Sequence, residues 1–144
     1  MSPKDVVRSL FEDAWNPGAY DEFDRLLSPD HIFDYTGSER KGLEEFKDFA
    51  RVYKQAFCQT YEITQLVGDD QLVTAVYIER GTFKNDYVFE TGEGVILPTG
   101  KSYETGGIEL YRVVGEKIVH TWAAHESLNQ YMQAGMAVIR DTRW

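Results

Sequence analysis

Cysteine is nearly absent: Cys58 is the single one, so no internal disulfide can form. Long hydrophobic runs are missing too, and nothing in the sequence reads as a bilayer-spanning segment. The first residues lack the basic-then-apolar pattern of a secretory leader, so cytoplasm is the expected compartment. Basic residues are scarce beside acidic ones, 15 against 24, for a formal net charge of −9. That balance argues against nucleic acid and against anionic lipid, since both need Lys and Arg to displace counterions. Histidine occurs three times, at His31, His120 and His125, without helical ligand spacing, so neither a metal nor a cofactor is expected. Aromatic residues, by contrast, are abundant at 14%, which suits a roomy aromatic interior in one domain spanning residues 1–144.

Helical period dominates the first third. Ser2-Pro3-Lys4-Asp5 reads as a capped helix start. Val6, Val7, Leu10, Phe11, Ala14 and Trp15 then form an apolar face, ended by Asn16-Pro17-Gly18. Tyr20, Phe23, Leu26 and Leu27 predict a short second helix, and Ser28-Pro29-Asp30 a turn. His31 to Tyr35 predicts a brief strand, broken by Thr36-Gly37-Ser38. Leu43, Phe46, Phe49, Ala50, Tyr53 and Phe57 predict a third helix of about fourteen residues.

After Phe57 the period falls to two. Strands are expected over Thr60–Val67, Leu72–Thr82, Tyr87–Ile96, Lys101–Val114 and Lys117–His125, then a half-helix through Leu128, Tyr131 and Met132. Helices followed by a strand meander give an α+β fold, a curved antiparallel sheet wrapped around N-terminal helices. Leu72 to Ile78 is apolar on both faces, so the outer face is expected to meet a second copy of the chain.

The phosphate-loop look of Gly94 to Ser102 is misleading. Five residues rather than four separate its glycines, Pro98 removes a donor, and Tyr103 onward is strand-like, so a turn on Pro98-Thr99-Gly100 is expected. Cys58 has no visible base beside it and reads as an inert thiol. The carboxylates are more informative. Tyr103, Thr105, Gly107, Glu109 and Tyr111 share one face, and His120, Trp122, Ala124 and Glu126 share another. His125 has the opposite parity, but a single bulge would exchange it with Glu126. Asp34 follows Ile32 on the first strand. In an apolar pocket such carboxyls titrate high and serve as acid or base near neutrality.

Element order and several local runs resemble the nuclear-transport-factor-2-like superfamily, and within it the SnoaL-like polyketide cyclases. The matching pieces are Arg80-Gly81-Thr82, Pro98-Thr99-Gly100-Lys101, Gly107 to Val113, and Lys117-Ile118-Val119 with Trp122, followed by Glu126, Leu128, Gln133 and Gly135. The resemblance implies a cone-shaped α+β barrel. It also places Glu126 on the cyclases' general acid/base of an intramolecular aldol closure, with glutamate for aspartate. The front of the chain also resembles ketosteroid isomerase. There Asp34 falls on the proton-abstracting aspartate, Gly37-Ser38-Glu39 on the turn after it, and Glu109 on the protonated acid that holds the oxyanion; Leu10 stands where that enzyme has its oxyanion tyrosine.

The leading expectation is a cofactor-free acid/base enzyme, a cyclase or isomerase acting on a hydrophobic small molecule. Glu126, Asp34, Glu109 and His125 would carry the chemistry. Trp122, Tyr77, Phe11, Trp15, Tyr35, Phe46, Phe49, Tyr53 and His120 would line the pocket. Glu126→Gln is expected to keep the fold and lose most turnover. The alternatives are a non-catalytic binding domain and an epoxide-opening enzyme using Asp34 with Glu126.

Overall fold

The computed structural model describes residues 1–35, 38–88 and 94–136. The first helix, α1 (Pro3–Ser9), starts with a reciprocal capping box. The Asp5 amide donates to Ser2 Oγ at 3.2 Å, and the Ser2 amide donates to Asp5 Oδ2 at 3.1 Å. At Leu10–Trp15 the helix widens into a π-helical turn, closed by the Asn16 amide on the Phe11 carbonyl at 2.9 Å. Leu10, Phe11, Ala14 and Trp15 are all buried there. Asn16 then clamps the helix end to the sheet, donating to the Tyr61 carbonyl (2.9 Å) and accepting from the Tyr61 amide (2.8 Å).

A 3-10 turn (Tyr20–Glu22) leads into α2 (Phe23–Leu26) and then β1 (Leu27–Tyr35). β1 is longer than its sequence suggests. Ser28-Pro29-Asp30, expected as a turn, lies inside the strand at an irregularity, where Leu27 pairs with Ile118 but Ile32 with His120. Proline is tolerated there because an irregular stretch needs no ladder donor. β2 (Ser38–Lys41) follows; Thr36 and Gly37 of the expected break lie outside the described residues. The long helix α3 (Leu43–Phe57) buries Leu43, Phe46, Ala50, Tyr53, Ala56 and Phe57 on one face. Lys47, also buried, carries its ammonium out to Asp24 at 2.9 Å. α3 ends at Cys58, whose φ of 45° is left-handed.

Then come β3 (Thr60–Gly68), β4 (Leu72–Thr82), β5 (Tyr87–Val88), β6 (Val95–Ile96), β7 (Ser102–Val114), β8 (Lys117–His125) and α4 (Ser127–Gln133). The main sheet runs β2-β1-β8-β7-β4-β3. It is mixed rather than wholly antiparallel as expected, because β1 pairs parallel with β8. The whole of α3 and the meander separates these two strands, enough chain for the long crossover that a parallel pair needs. The strand expected over Tyr87–Ile96 is also corrected. β5 and β6 form their own ribbon, while residues 89–93 lie outside the described set. The amides of Lys84 and Asn85 both donate to the Ala56 carbonyl, which holds the chain off the main sheet before β5. The Gly-Lys-Ser run enters strand β7, not a helix, so its amides cannot cradle a phosphate. No helix among the described residues is long and apolar enough to cross a membrane.

Register decides what faces inward. Val73, Ala75, Tyr77 and Glu79 alternate as buried positions on β4, and Tyr103, Thr105, Tyr111 and Val113 on β7. On β8 the alternation slips once. Val113 pairs with Ile118 but Arg112 with His120, so Val119 is an extra residue. Ile118 faces inward before the bulge, and Thr121, Ala123 and His125 after it. A two-residue turn joins β7 to β8, with Gly115 and Glu116 both at positive φ (56° and 64°), the conformation that matches strand twist.

Candidate active site

The first helix, α3 and the concave side of the sheet enclose a cavity of about 110 Å³. Its wall is aromatic: Phe11, Trp15, Phe33, Phe46, Phe49, Tyr53, Tyr61, Tyr77 and Tyr111 all face it. The π-helical turn accounts for part of this, since it presents Leu10, Phe11 and Trp15 to the same space. Trp15 is anchored by its indole N–H on Gln59 Oε1 at 2.7 Å. The ionisable groups on the wall, phenols apart, are Glu79, Glu109, His125 and Arg40. Arg40 lies over the Phe49 ring at 4.4 Å.

Glu79 has no exposed surface at all. Its Oε2 accepts from the Tyr53 hydroxyl at 2.7 Å, from the Tyr103 hydroxyl, and more distantly from Gln130 Nε2 at 3.5 Å. Its Oε1 is left for His125, whose Nε2 stands 3.0 Å away. The approach is close but is not an aligned hydrogen bond, and both atoms are buried without a hydrogen-bond partner. The other ring nitrogen, Nδ1, lies 3.1 Å from Ser127 Oγ, and Ser127 Oγ is in turn hydrogen-bonded to the Tyr35 hydroxyl.

Glu109 faces the cavity from β7 and accepts from Tyr111 and Tyr77. Burial pushes its carboxyl up to about 7, although the Tyr111 bond and the charge of His125 pull the other way. Near neutrality it therefore exists partly as a neutral acid able to donate. Burial also holds the phenols of Tyr53, Tyr61, Tyr77 and Tyr111 above their ordinary range, so they act as donors rather than charges. Gly107 gives Tyr77 its place. A Cβ there would stand 2.3 Å from the Tyr77 hydroxyl, so only glycine lets that ring lie across β7 beside His125.

Of the residues singled out in the sequence, Glu109, His125, Tyr77, Phe11, Trp15, Tyr35, Phe46, Phe49 and Tyr53 meet around the cavity. Four others do not. His120 and Trp122 stack on each other on the outer sheet face, rings 3.7 Å apart, with Arg112 beside the indole. Asp34 lies in register with Trp122, out of phase with Phe33 and Tyr35, which face the cavity. The Val119 bulge accounts for the two β8 residues, because it reverses the parity that would have carried His120 and Trp122 inward. Glu126 is exposed at the start of α4, where it accepts from the Gly106 amide and Thr105 Oγ1, both at 3.1 Å. These bonds hold its carboxyl below the ordinary range, which favours a fixed anion over a proton carrier. With Asp34 and Glu126 both outside, the paired carboxylates of the epoxide alternative are not in the cavity.

Glu79 escaped the sequence reading, yet its signal was present. Val73, Ala75, Tyr77 and Glu79 obey the same alternation that singled out Glu109. His31, by contrast, is a buried structural histidine. Its Nε2 lies 2.9 Å from Thr121 Oγ1, and burial, then the charge of His120, pushes it down to about 4.

The family model for SnoaL-like polyketide cyclases matches residues 5–134. The chain belongs to the SnoaL-like polyketide cyclase family. Solved relatives share its nuclear-transport-factor-2-like fold. A candidate SnoaL-like polyketide cyclase from Jannaschia sp. CCS1 is 17% identical with a TM-score of 0.80, over 96% of this chain and 98% of that one. IdmH, a candidate polyketide cyclase from Streptomyces antibioticus, is 22% identical with a TM-score of 0.77, over 94% and 99%. AclR, a candidate hydroxylase from Streptomyces galilaeus, is 18% identical with a TM-score of 0.77, over 94% and 96%. No curated protein matches the chain. Family membership supports a cyclase or a related enzyme, and the spread of reactions on one fold leaves the particular chemistry to the site itself.

Proposed function

We propose that this family member is an acid/base enzyme that moves protons on a hydrophobic carbonyl compound, closing a ring or shifting a double bond. The observation that carries this is the approach of His125 to buried Glu79 beside a high-titrating Glu109, on a wall that is otherwise mostly aromatic. The basic group removes a proton beside a carbonyl. Neutral Glu109 donates to the carbonyl oxygen, where negative charge develops. In ring closure, the resulting enol carbon bonds to a second carbonyl carbon, whose oxygen then takes up a proton. No cofactor is required for these steps. The walls exclude water and hold the flexible chain near its reactive shape.

Deuterium exchange tests the first step. A panel of cyclic ketones, 1,3-diketones and linear poly-β-keto esters in D₂O is expected to include compounds whose α-hydrogens exchange faster with enzyme. Glu109→Gln and His125→Gln are expected to abolish that gain. Saturable binding without exchange or ring closure for any compound would instead mark a binding domain.

We also propose that two copies pair through the outer sheet face. Val76, Ile108 and Ala124 form one row across β4, β7 and β8, and Thr74, Leu110 and Trp122 the next, with Ile108 50% exposed. Sedimentation of the native chain is expected to give a dimer, and Ile108→Glu a monomer.

A further inference from the structure

Nδ1 of His125 is engaged by Ser127 Oγ, and Nε2 is buried 3.0 Å from Glu79 Oε1 without a hydrogen bond, so neither nitrogen is open to the cavity. The group at the cavity end of its hydrogen-bond chain is Tyr35, a wall residue. We propose that Tyr35 is the catalytic residue that exchanges protons with the substrate, and that Ser127 and His125 relay its proton while Glu79 positions the ring. This rests on the acid/base reading above and names the atoms through which it would operate.

The direction of the chain follows from its inner end. Glu79 accepts from two phenols through Oε2, which leaves Oε1 as the unpaired oxygen facing Nε2. An acceptor there calls for hydrogen on Nε2, which leaves Nδ1 of the neutral ring as an acceptor. Ser127 must then donate to Nδ1, and its oxygen is free to accept from Tyr35. Every O–H therefore points from the cavity toward His125. When the Tyr35 oxygen takes a proton from substrate carbon, the phenolic proton passes to Ser127 Oγ, and the Ser127 proton passes to Nδ1. The products are a substrate enolate and an imidazolium beside the Glu79 carboxylate. The same shifts in reverse return the proton to the ring-closed or isomerised product. Burial raises the Tyr35 phenol, and the charges of Glu79 and Glu109 add to this, while the Ser127 hydrogen bond and then Arg40 of β2 favour its ionised form, so at rest it holds its proton.

The relay is testable without turnover. Protein carrying ¹⁵N-histidine and ¹³Cζ-tyrosine is expected to show His125 with hydrogen on Nε2 and bare Nδ1. In Ser127→Ala the Tyr35 phenol is expected to titrate higher, because it loses a hydrogen-bond partner for its charged form. A wild-type ring with hydrogen on Nδ1, or a Tyr35 titration indifferent to Ser127→Ala, would overturn the relay. In the exchange assay, Tyr35→Phe and Ser127→Ala are each expected to lower kcat about 10²-fold, the low end for a general acid/base, with little change in KM. Ser127→Thr, which keeps the hydroxyl, is expected to restore most of it. Tyr35→Phe at the wild-type rate while His125→Gln is inactive would sink the role of Tyr35 and leave the acid/base reading standing. If no compound exchanges with the wild type, that reading falls, and the resonance data still decide whether the chain of bonds exists.

Discussion

His120 and His125 lie on one strand, five positions apart, yet belong to different worlds. His120 stacks on Trp122 on the outer face, beside Arg112 and in a patch built from apolar rows. His125 faces inward, stands 3.0 Å from a fully buried carboxylate and neighbours Tyr77 and Glu109. Composition does not distinguish them; a period of two puts them on opposite faces, and the bulge at Val119 decides which one enters the cavity. What separates them is parity, together with the low dielectric and preorganised donors on the concave side. Ionisable groups in the cavity are held by phenols and amides inside protein. Glu126, a residue further on, is held by a backbone amide and a hydroxyl at an exposed helix start.

The contrast can be broken in graded ways. The largest effect is expected inside: Glu109→Gln and His125→Gln should each lower exchange or turnover roughly 10²–10⁴-fold, read as kcat. Next comes Glu79→Leu, which orphans the buried phenols of Tyr53 and Tyr103. A cost of about 1–3 kcal/mol per unpaired group is expected in urea unfolding, and less for Glu79→Gln. Gly107→Ala should destabilise by roughly 1–3 kcal/mol, since the new Cβ overlaps the Tyr77 ring and the wall must shift.

A pH series sharpens the comparison further. Glu109 moves from an ordinary 4.5 to about 7 in the fold, so the native state holds the extra proton, and stability falls as pH rises across that window. His31 moves from 6.5 down to about 4, so the native state refuses a proton, and stability rises with pH between those values. The two slopes oppose each other. Urea midpoints of Glu109→Gln across this range should therefore rise with pH more steeply than those of the parent chain; an unchanged slope would show that Glu109 titrates normally. The smallest effect is expected outside. Glu126→Gln should keep near-parental activity and cost no more than about 1 kcal/mol, the scale of a single helix cap. A large loss of turnover there would return the chemistry to the position that family resemblance suggests.

Much of this architecture was legible in the chain. The capped first helix, the apolar face through Trp15, the amphipathic helix through Phe57 and strands β4 and β8 follow from period and cap chemistry. Those signals are local, so a one-dimensional reading captures them. Glu109 was legible as well, since its neighbours on β7 keep strict alternation. The inward face of β8 was not. A bulge at Val119 inverts every later side chain, and no residue type there announces it. Glu79 was hidden for a different reason: a carboxylate near a strand end is ordinarily solvated, and its burial depends on Tyr53, Tyr103 and Gln130 arriving from three distant segments.

By itself, then, the sequence determined the class of fold, the aromatic interior and a carboxylate on the concave face. Periodicity, propensity and composition are carried by neighbouring residues. Tertiary structure alone decided that β1 runs parallel to β8, that His125 rather than Glu126 enters the cavity, and that Glu79 stands behind it. Each of these depends on register and on contacts between segments far apart in the chain, which are settled only when the sheet closes around the helices.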